Sequence, residues 1–288
     1  MITPIQEQTA LAQAIGLGKI SFKREDLHPY GSHKGRSIPV MIDHYLQAGD
    51  RKFAISSSGN AALAAALYLR EKHQKEQIDL DIFVGQRVSA KKLDKLRHIT
   101  NEHIRVLVKE RPLQALNQAV ADGYRSLRQS TDDVALKGYE TLAQEIVSIK
   151  KAAAVFIGTS SGTTAQALAQ YFIKEKKDTQ VHIVQTSSCH PFSQEFDAYD
   201  GPDEISIADA IVDQTAMRKG ALIPLIEETG GRGWFATNDE IRSAQKLVET
   251  HSHLNISTNS ALSVVGAMQA AYTGYEIPGI VICMICGE

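Results

Sequence analysis

Short apolar runs take turns with longer stretches in which apolar positions recur at helical spacing, along almost the whole chain. Residues 20–22 read as a strand. From Lys34 the pattern is helical to about Gln47, then come a strand over residues 52–56 and a helix starting near Asn60, AALAAALYLREK. A strand over 80–84, a basic helix over 89–99, a strand over 104–108 and a helix opened by Pro112 follow, proline being favoured in a first turn. The alternation continues with a strand over 153–157, a helix over 163–174 and a strand over 181–185. Helices near Ile207, Leu222, Asp239 and Ala261 lead to a last strand over 280–285. Strands separated by helices predict parallel sheets covered on both faces, hence an α/β fold. The long loop expected is 188–204.

Composition narrows the function classes. A chain of 288 residues suggests two domains or one large α/β unit. A formal net charge of −2 gives no electrostatic case for nucleic acid or an anionic membrane surface, and no apolar run approaches a membrane helix. The start MITPIQEQTALAQ lacks the basic and apolar regions of a signal peptide, and three cysteines offer no disulfide framework. The expectation is a soluble cytoplasmic protein.

Three loops carry chemistry. The stretch KREDLHPYGSHKGR, residues 23–36, delivers Lys34 at a loop-to-helix junction among Gly31, Ser32 and Gly35. A lysine between small residues packs poorly but suits a flat anionic group bonded to it, since a desolvated lysine can form an imine with an aldehyde. A solvated lysine after a Pro/Gly turn is the plain alternative. Next, Ser56-Ser57-Ser58-Gly59-Asn60 joins a strand to a helix; small hydroxyl residues, a glycine and an Asn N-cap offer N–H groups suited to a carboxylate. A simple capped turn would look the same. Finally, Gly158-Thr159-Ser160-Ser161-Gly162-Thr163-Thr164 places N–H and hydroxyl donors at a helix N-terminus, a phosphate cradle. No lysine follows Gly162 and the GxGxxG spacing fails at Ser160, so a phosphate monoester fits better than a nucleotide. Cys283 and Cys286 form a CxxC, but residues three apart on a strand point to opposite faces and no second ligand pair exists; no metal is expected.

A lysine loop, an SSGN loop and a phosphate loop, in that order and each at a strand-to-helix junction, resemble the fold-type II pyridoxal phosphate (PLP) enzymes, the tryptophan synthase β-subunit-like superfamily. The resemblance spans nearly the whole chain. Thr3-Pro4-Ile5 is similar to the family's opening segment, and LKGYETLAQEI (136–146) to its G-x-x-T-x-x-x-E-I helix. SIADAI (206–211) and STNSALSVVGAMQA (257–270) stand where the family places such segments. Among branches, GSHKGR, SSGNAALAAA and SIADAI most resemble threonine synthase, with serine and threonine ammonia-lyases close behind.

The resemblance implies two doubly wound three-layer α/β domains, the smaller (39–141) inserted into a larger one formed by 1–38 and 142–288, with Lys34 and Asn60 meeting the 158–163 loop across a cleft. It implies PLP as cofactor, a small amino acid as substrate, and a homodimer. Lys34 would carry the imine and then act as base. Asn60 would bond the ring oxygen, and Ser57, Ser58, Gly59 and Asn60 the substrate carboxylate. Gly158, Thr159, Ser160, Ser161, Gly162 and Thr163 would take the phosphate. Cys286 falls where the family places Ser or Thr beside the pyridine nitrogen; a weak thiol donor would not hold that nitrogen firmly protonated, which favours elimination or replacement. Glu288, two residues on, is a carboxylate that would alter this argument.

Departures from threonine synthase bear on the substrate. His33 and Gly35 replace the Phe and Asp that flank its lysine, and Asp132, Asp133 and Ala135 stand where that branch receives the substrate phosphate. Two carboxylates there would repel a dianion unless Lys137 or Lys91 compensates. Motif similarity favours a threonine synthase-like lyase. The alternatives are a serine/threonine ammonia-lyase or other β-elimination or β-replacement enzyme, a catalytically degraded PLP-binding homologue, and an unrelated phosphate-ester binder.

Overall fold

The structure, a computed structural model, describes residues 2–72, 76–86, 88–202 and 204–287. The chain divides into two compact units, Met1–Leu27 with Tyr139–Glu288, and His28–Gly138.

The first unit opens with β1 (Ile5–Glu7), α1 (Thr9–Ile15) and β2 (Ile20–Arg24). The chain then builds the second unit from α2 (Lys34–Gln47), β3 (Lys52–Ser56), α3 (Asn60–Lys72), β4 (Asp79–Gly85), α4 (Ala90–Arg97), β5 (Ile104–Lys109), α5 (Pro112–Ala121), β6 (Arg125–Ser126) and α6 (Val134–Lys137). It returns to the first unit with α7 (Glu140–Val147), β7 (Ala152–Gly158), α8 (Thr163–Lys174), β8 (Gln180–Thr186), α9 (Lys219–Glu228), β9 (Gly233–Ala236), α10 (Asn238–Ser252), α11 (Thr258–Tyr272) and β10 (Ile280–Ile285).

In the first unit the strands of the described residues run β1-β2-β10-β7-β8-β9, parallel except for the antiparallel β1–β2 pair. β10 lies between β2 and β7, and its residues 281–285 are buried, as a parallel strand covered on both faces requires. The second unit holds a parallel sheet in the order β5-β4-β3-β6. Its α3 buries Ala62, Ala64, Ala65 and Ala66 completely, the closely packed interior helix that an alanine-rich sequence suggests. These sheets place the fold in the expected α/β class.

Several elements differ from the sequence reading, which included neither β1, α1 nor β6. No helix forms near Ile207; residues 204–218 are irregular, because side chains elsewhere take their backbone groups. Ile207 N–H donates to Asn238 Oδ1 (2.8 Å), Ala210 N–H to Asn259 Oδ1 (3.0 Å), and Val212 and Asp213 N–H to Ser160 Oγ (3.1 and 3.3 Å). The strand β9 was not foreseen, since Gly233 weakens the pattern of a strand; a Cβ there would stand 2.6 Å from Ser193 Cα.

A fully buried histidine sits in the first unit's core. His182 stacks on Phe156 with ring centroids 4.4 Å apart; its Nδ1 accepts from Arg232 N–H and Trp234 Nε1–H, while Nε2 meets Gln180 Oε1 at 3.0 Å. Burial first, and the Arg232 charge second, hold its pKa down to about 3. Below the ordinary value of about 6.5 the unfolded chain therefore binds a proton that the folded chain refuses, so this group removes stability as pH falls towards 3. Between pH 7 and 5 the loss is expected to be about 2 kcal/mol in urea unfolding. His182→Gln should flatten that pH dependence; an equally steep dependence in the variant would assign it to other groups.

Candidate active site

Lys34 is the first residue of α2, half-buried, its N–H donating to Ser32 Oγ at 3.2 Å. Sterics shape the loop before it. Gly31 has φ +80° and closes a turn through its N–H to His28 C=O (2.7 Å), and an added Cβ there would touch Leu63 of α3 at 3.1 Å. Tyr30 N–H donates to His28 Nδ1 (3.2 Å), and the Tyr30 ring lies edge-on to Tyr68, whose hydroxyl donates to Asp43 Oδ1 (2.6 Å). Burial, then a hydrogen bond to Glu71, push the Tyr30 phenol up to about 12, so it remains a donor. The lysine loop is thus clamped to the helix that begins at Asn60. Behind α2, Gly138 allows contact with its first turn: a Cβ would lie 2.3 Å from Ser37 Cα, and Ser37 Oγ donates to Ala135 C=O (2.7 Å).

The loop carrying Ser57, Ser58, Gly59 and Asn60 is partly exposed. Gly59 C=O accepts from Leu63 N–H (3.1 Å), which makes Gly59 the N-cap of α3 and places Asn60 in its first turn, one position further than the sequence suggests. The Asn60 side chain is thereby released from capping its own helix. Ser57 Oγ accepts from Gly59 N–H (3.2 Å) and holds the turn open.

In the first unit, Gly158 ends β7, and Gly162 caps α8 with φ +78°. A Cβ on Gly158 would meet Asn259 C=O at 2.9 Å, and one on Gly162 would meet Leu222 and Phe192 at 2.9 and 3.1 Å. Two of the loop's hydroxyls turn to its own support: buried Thr159 donates to Ile157 C=O (3.0 Å), and Ser160 Oγ receives the two N–H bonds from 212 and 213. Ser161 and Thr163 hydroxyls lie 2.9 Å apart at the helix end. The N–H groups of the first turn of α8, which lack intrahelical acceptors, together with the Ser161 and Thr163 hydroxyls, form a donor set suited to a phosphate. The residues present fit a phosphate monoester.

The end of β10 is supported by the same helix, α11, that touches Gly158. Cys286 N–H donates to Ser260 Oγ (3.1 Å), Ser257 Oγ donates to Gly287 C=O (2.6 Å), and the Cys286 thiol points to Met284 C=O (3.7 Å). Ser257 and Ser260 were not singled out from sequence; the S-x-x-S of STNSALS, capping α11, was the available signal. Burial pushes the Cys283 thiol up, so it stays protonated, and among the described residues no group of three His, Cys, Asp or Glu could hold a metal. Glu288 lies outside the described residues. A surface depression lined by Gln180, Tyr275, Glu276 and Pro278 is at the opposite, amino-terminal ends of β8 and β10.

Asp132 and Ala135 have structural partners. Tyr45 O–H donates to Asp132 Oδ2 (2.5 Å), Asp132 Oδ1 accepts from Val134 N–H (2.9 Å), and buried Ala135 receives Ser37. Burial, then the Asp132 bond, raise the Tyr45 phenol to about 12.

A family model described as pyridoxal-phosphate dependent enzyme matches residues 2–287. The chain is similar to threonine synthase of Mycobacterium bovis, 24% identical over 99% of this chain and 81% of that protein. It is also similar to the human protein named serine dehydratase-like, 29% identical over 52% of this chain; that match spans 44% of the human protein's length. Among solved structures, a PLP-dependent aspartate racemase superposes with a TM-score of 0.84 at 21% identity, covering 100% of this chain and 90% of the other. Threonine deaminase isoform 2 from Solanum lycopersicum does so with 0.80 at 20%, covering 99% and 83%. At those identities the structures speak for the fold alone.

Proposed function

The chain belongs to the pyridoxal-phosphate dependent enzyme family, and from that premise we propose a lyase that takes the Cα proton from a small amino acid and expels a β-substituent, in the manner of serine and threonine ammonia-lyases. When bound, PLP supplies a sink for the electron pair left at Cα. Lys34 would hold the cofactor, and its Nζ would be the base that accepts the Cα proton. Ser57, Ser58, Gly59 and Asn60 bind the substrate carboxylate, and Asn60 also bonds the cofactor's ring oxygen. Residues 158–163 take the phosphate through backbone N–H groups and hydroxyls; Thr159 gives its O–H to Ile157 C=O, whereas Ser160 Oγ, which accepts from Val212 and Asp213 N–H, keeps its own O–H to donate. Cys286 would be the weak neutral partner of the pyridine nitrogen once its thiol turns from Met284 C=O, and a sink so moderated suits elimination over transamination.

The observation that carries the choice of reaction is the use of Asp132 and Ala135. Where threonine synthases receive a second phosphate, this chain spends a carboxylate on Tyr45 and Val134 and a buried alanine on Ser37. An elimination needs no second anion site. The threonine synthase reading, from O-phosphohomoserine, stands second and is favoured by similarity to the Mycobacterium bovis protein over nearly the whole chain.

Offered separately, L-serine or L-threonine is expected to give a 2-oxo acid, and O-phosphohomoserine no phosphate. Phosphate release with threonine as product would replace this reading with the synthase. Turnover of neither, nor of O-acetylserine, by a cofactor-loaded protein would leave a PLP-binding homologue without lyase activity.

A further inference from the structure

We propose that His28 is a positioning residue for Lys34, acting through Gly35. The proposal rests on the reading that Lys34 carries the cofactor. The residue after the lysine is a glycine for a steric reason. A Cβ at Gly35 would lie 2.3 Å from His28 Nδ1, 2.4 Å from His28 Cε1 and 2.9 Å from Tyr30 Cβ. The buried imidazole therefore occupies the space in which a side chain at position 35 would begin. Gly35 has no left-handed φ that would call for glycine, so the close approach of the ring is what selects it.

The ring is held from several sides. Nδ1 accepts from Tyr30 N–H, which makes it an acceptor and leaves any proton of the neutral ring on Nε2. The His28 C=O closes the turn at Gly31, and the Tyr30 ring, 5.6 Å from the imidazole centroid, is anchored on Tyr68. α2 is pressed from another direction by Gly138 against Ser37. The first turn of the helix, which begins with Lys34, is thus seated between the imidazole and the 135–138 segment. His28 and Gly35 form a size-matched pair whose ring and bare Cα set the placement of the lysine's backbone.

Four proteins test this: wild type, Gly35→Ala, His28→Ala and the double variant, each stripped of PLP, checked by circular dichroism and thermal melting, then titrated with PLP. The readouts are the visible absorbance of the lysine-bound cofactor and the mass of the borohydride-reduced peptide containing Lys34. Gly35→Ala should fold but need about tenfold more PLP, because overpacking is relieved by moving the turn. His28→Ala should load slightly less well than wild type. The double variant should regain the loading of His28→Ala, the non-additivity expected of residues in direct contact. A Gly35→Ala protein that loads like wild type, or a double variant no better than Gly35→Ala, overturns the pairing. So does a Gly35→Ala protein already unfolded without PLP, since the pair would then serve the stability of its unit. Lys34→Ala separates the two failures: a band that persists there overturns the cofactor assignment, while a band lost there yet indifferent to Gly35→Ala overturns the positioning role alone.

Discussion

Lys34→Ala is expected to purify as a folded protein without the visible absorbance of the lysine-bound cofactor, with activity lower by at least about 10³-fold. Folding should survive because Lys34 is a half-buried residue at the start of α2, and alanine is the better helix former. The backbone bond to Ser32 Oγ does not depend on the side chain. Activity should not survive, because the same Nζ is assigned both the covalent hold on the cofactor and the removal of the Cα proton. Added amines could restore part of the second role and none of the first. Borohydride reduction followed by peptide mass analysis is the direct check. Wild-type absorbance in the variant, or a reduced adduct on another lysine, would reassign the centre.

Gly162→Ala should cripple cofactor loading with Lys34 intact. An L-residue at φ +78° costs about 1–2 kcal/mol, and a methyl group 2.9 Å from Leu222 Cδ2 and 3.1 Å from Phe192 Cζ adds about 1–3 kcal/mol. The tips of Leu222 and Phe192 can give way to the methyl, but the strained φ is relieved by moving the N-terminus of α8, the element assigned to the phosphate. A combined cost of about 3 kcal/mol corresponds to a roughly hundredfold loss of PLP affinity if it falls on the loaded state. Gly220→Ala is the matched control, since its added methyl meets nothing within 4 Å. Equal PLP titrations for the two variants would move the phosphate site away from residues 158–163.

The parts legible in the sequence are those governed by local pattern. Continuous apolar runs such as 281–285 announced buried parallel strands, and Gly/Ser/Thr punctuation located the loops between strands and helices. The parts that were not legible depend on partners far along the chain. Residues 204–218 carry the spacing of a short helix, but Asn238, Asn259 and Ser160 satisfy their backbone in another form. The sequence did not show that Thr159 gives its hydroxyl proton to Ile157 C=O, nor that Ser160 Oγ accepts from the backbone at 212 and 213. Nor could the sequence show that Asp132 accepts from Tyr45, 87 positions away. Gly35 looked like a departure from the family pattern; what it accommodates is the ring of His28.

The placement of β10 in the first unit's sheet bears on how the chain acquires its structure. The second unit is drawn from one continuous segment, 28–138, whereas the first joins residues separated by more than a hundred positions. Since β10 is the strand that bridges β2 to β7, the β1–β2 pair and the β7–β8–β9 strands share no edge until residues 280–285 arrive. During synthesis the second unit can therefore close on local contacts while β2 waits, its apolar Ile20 and Phe22 uncovered, for residues 280–285. Over that interval the half-built sheet presents an unpaired apolar edge, the kind of surface on which chains aggregate.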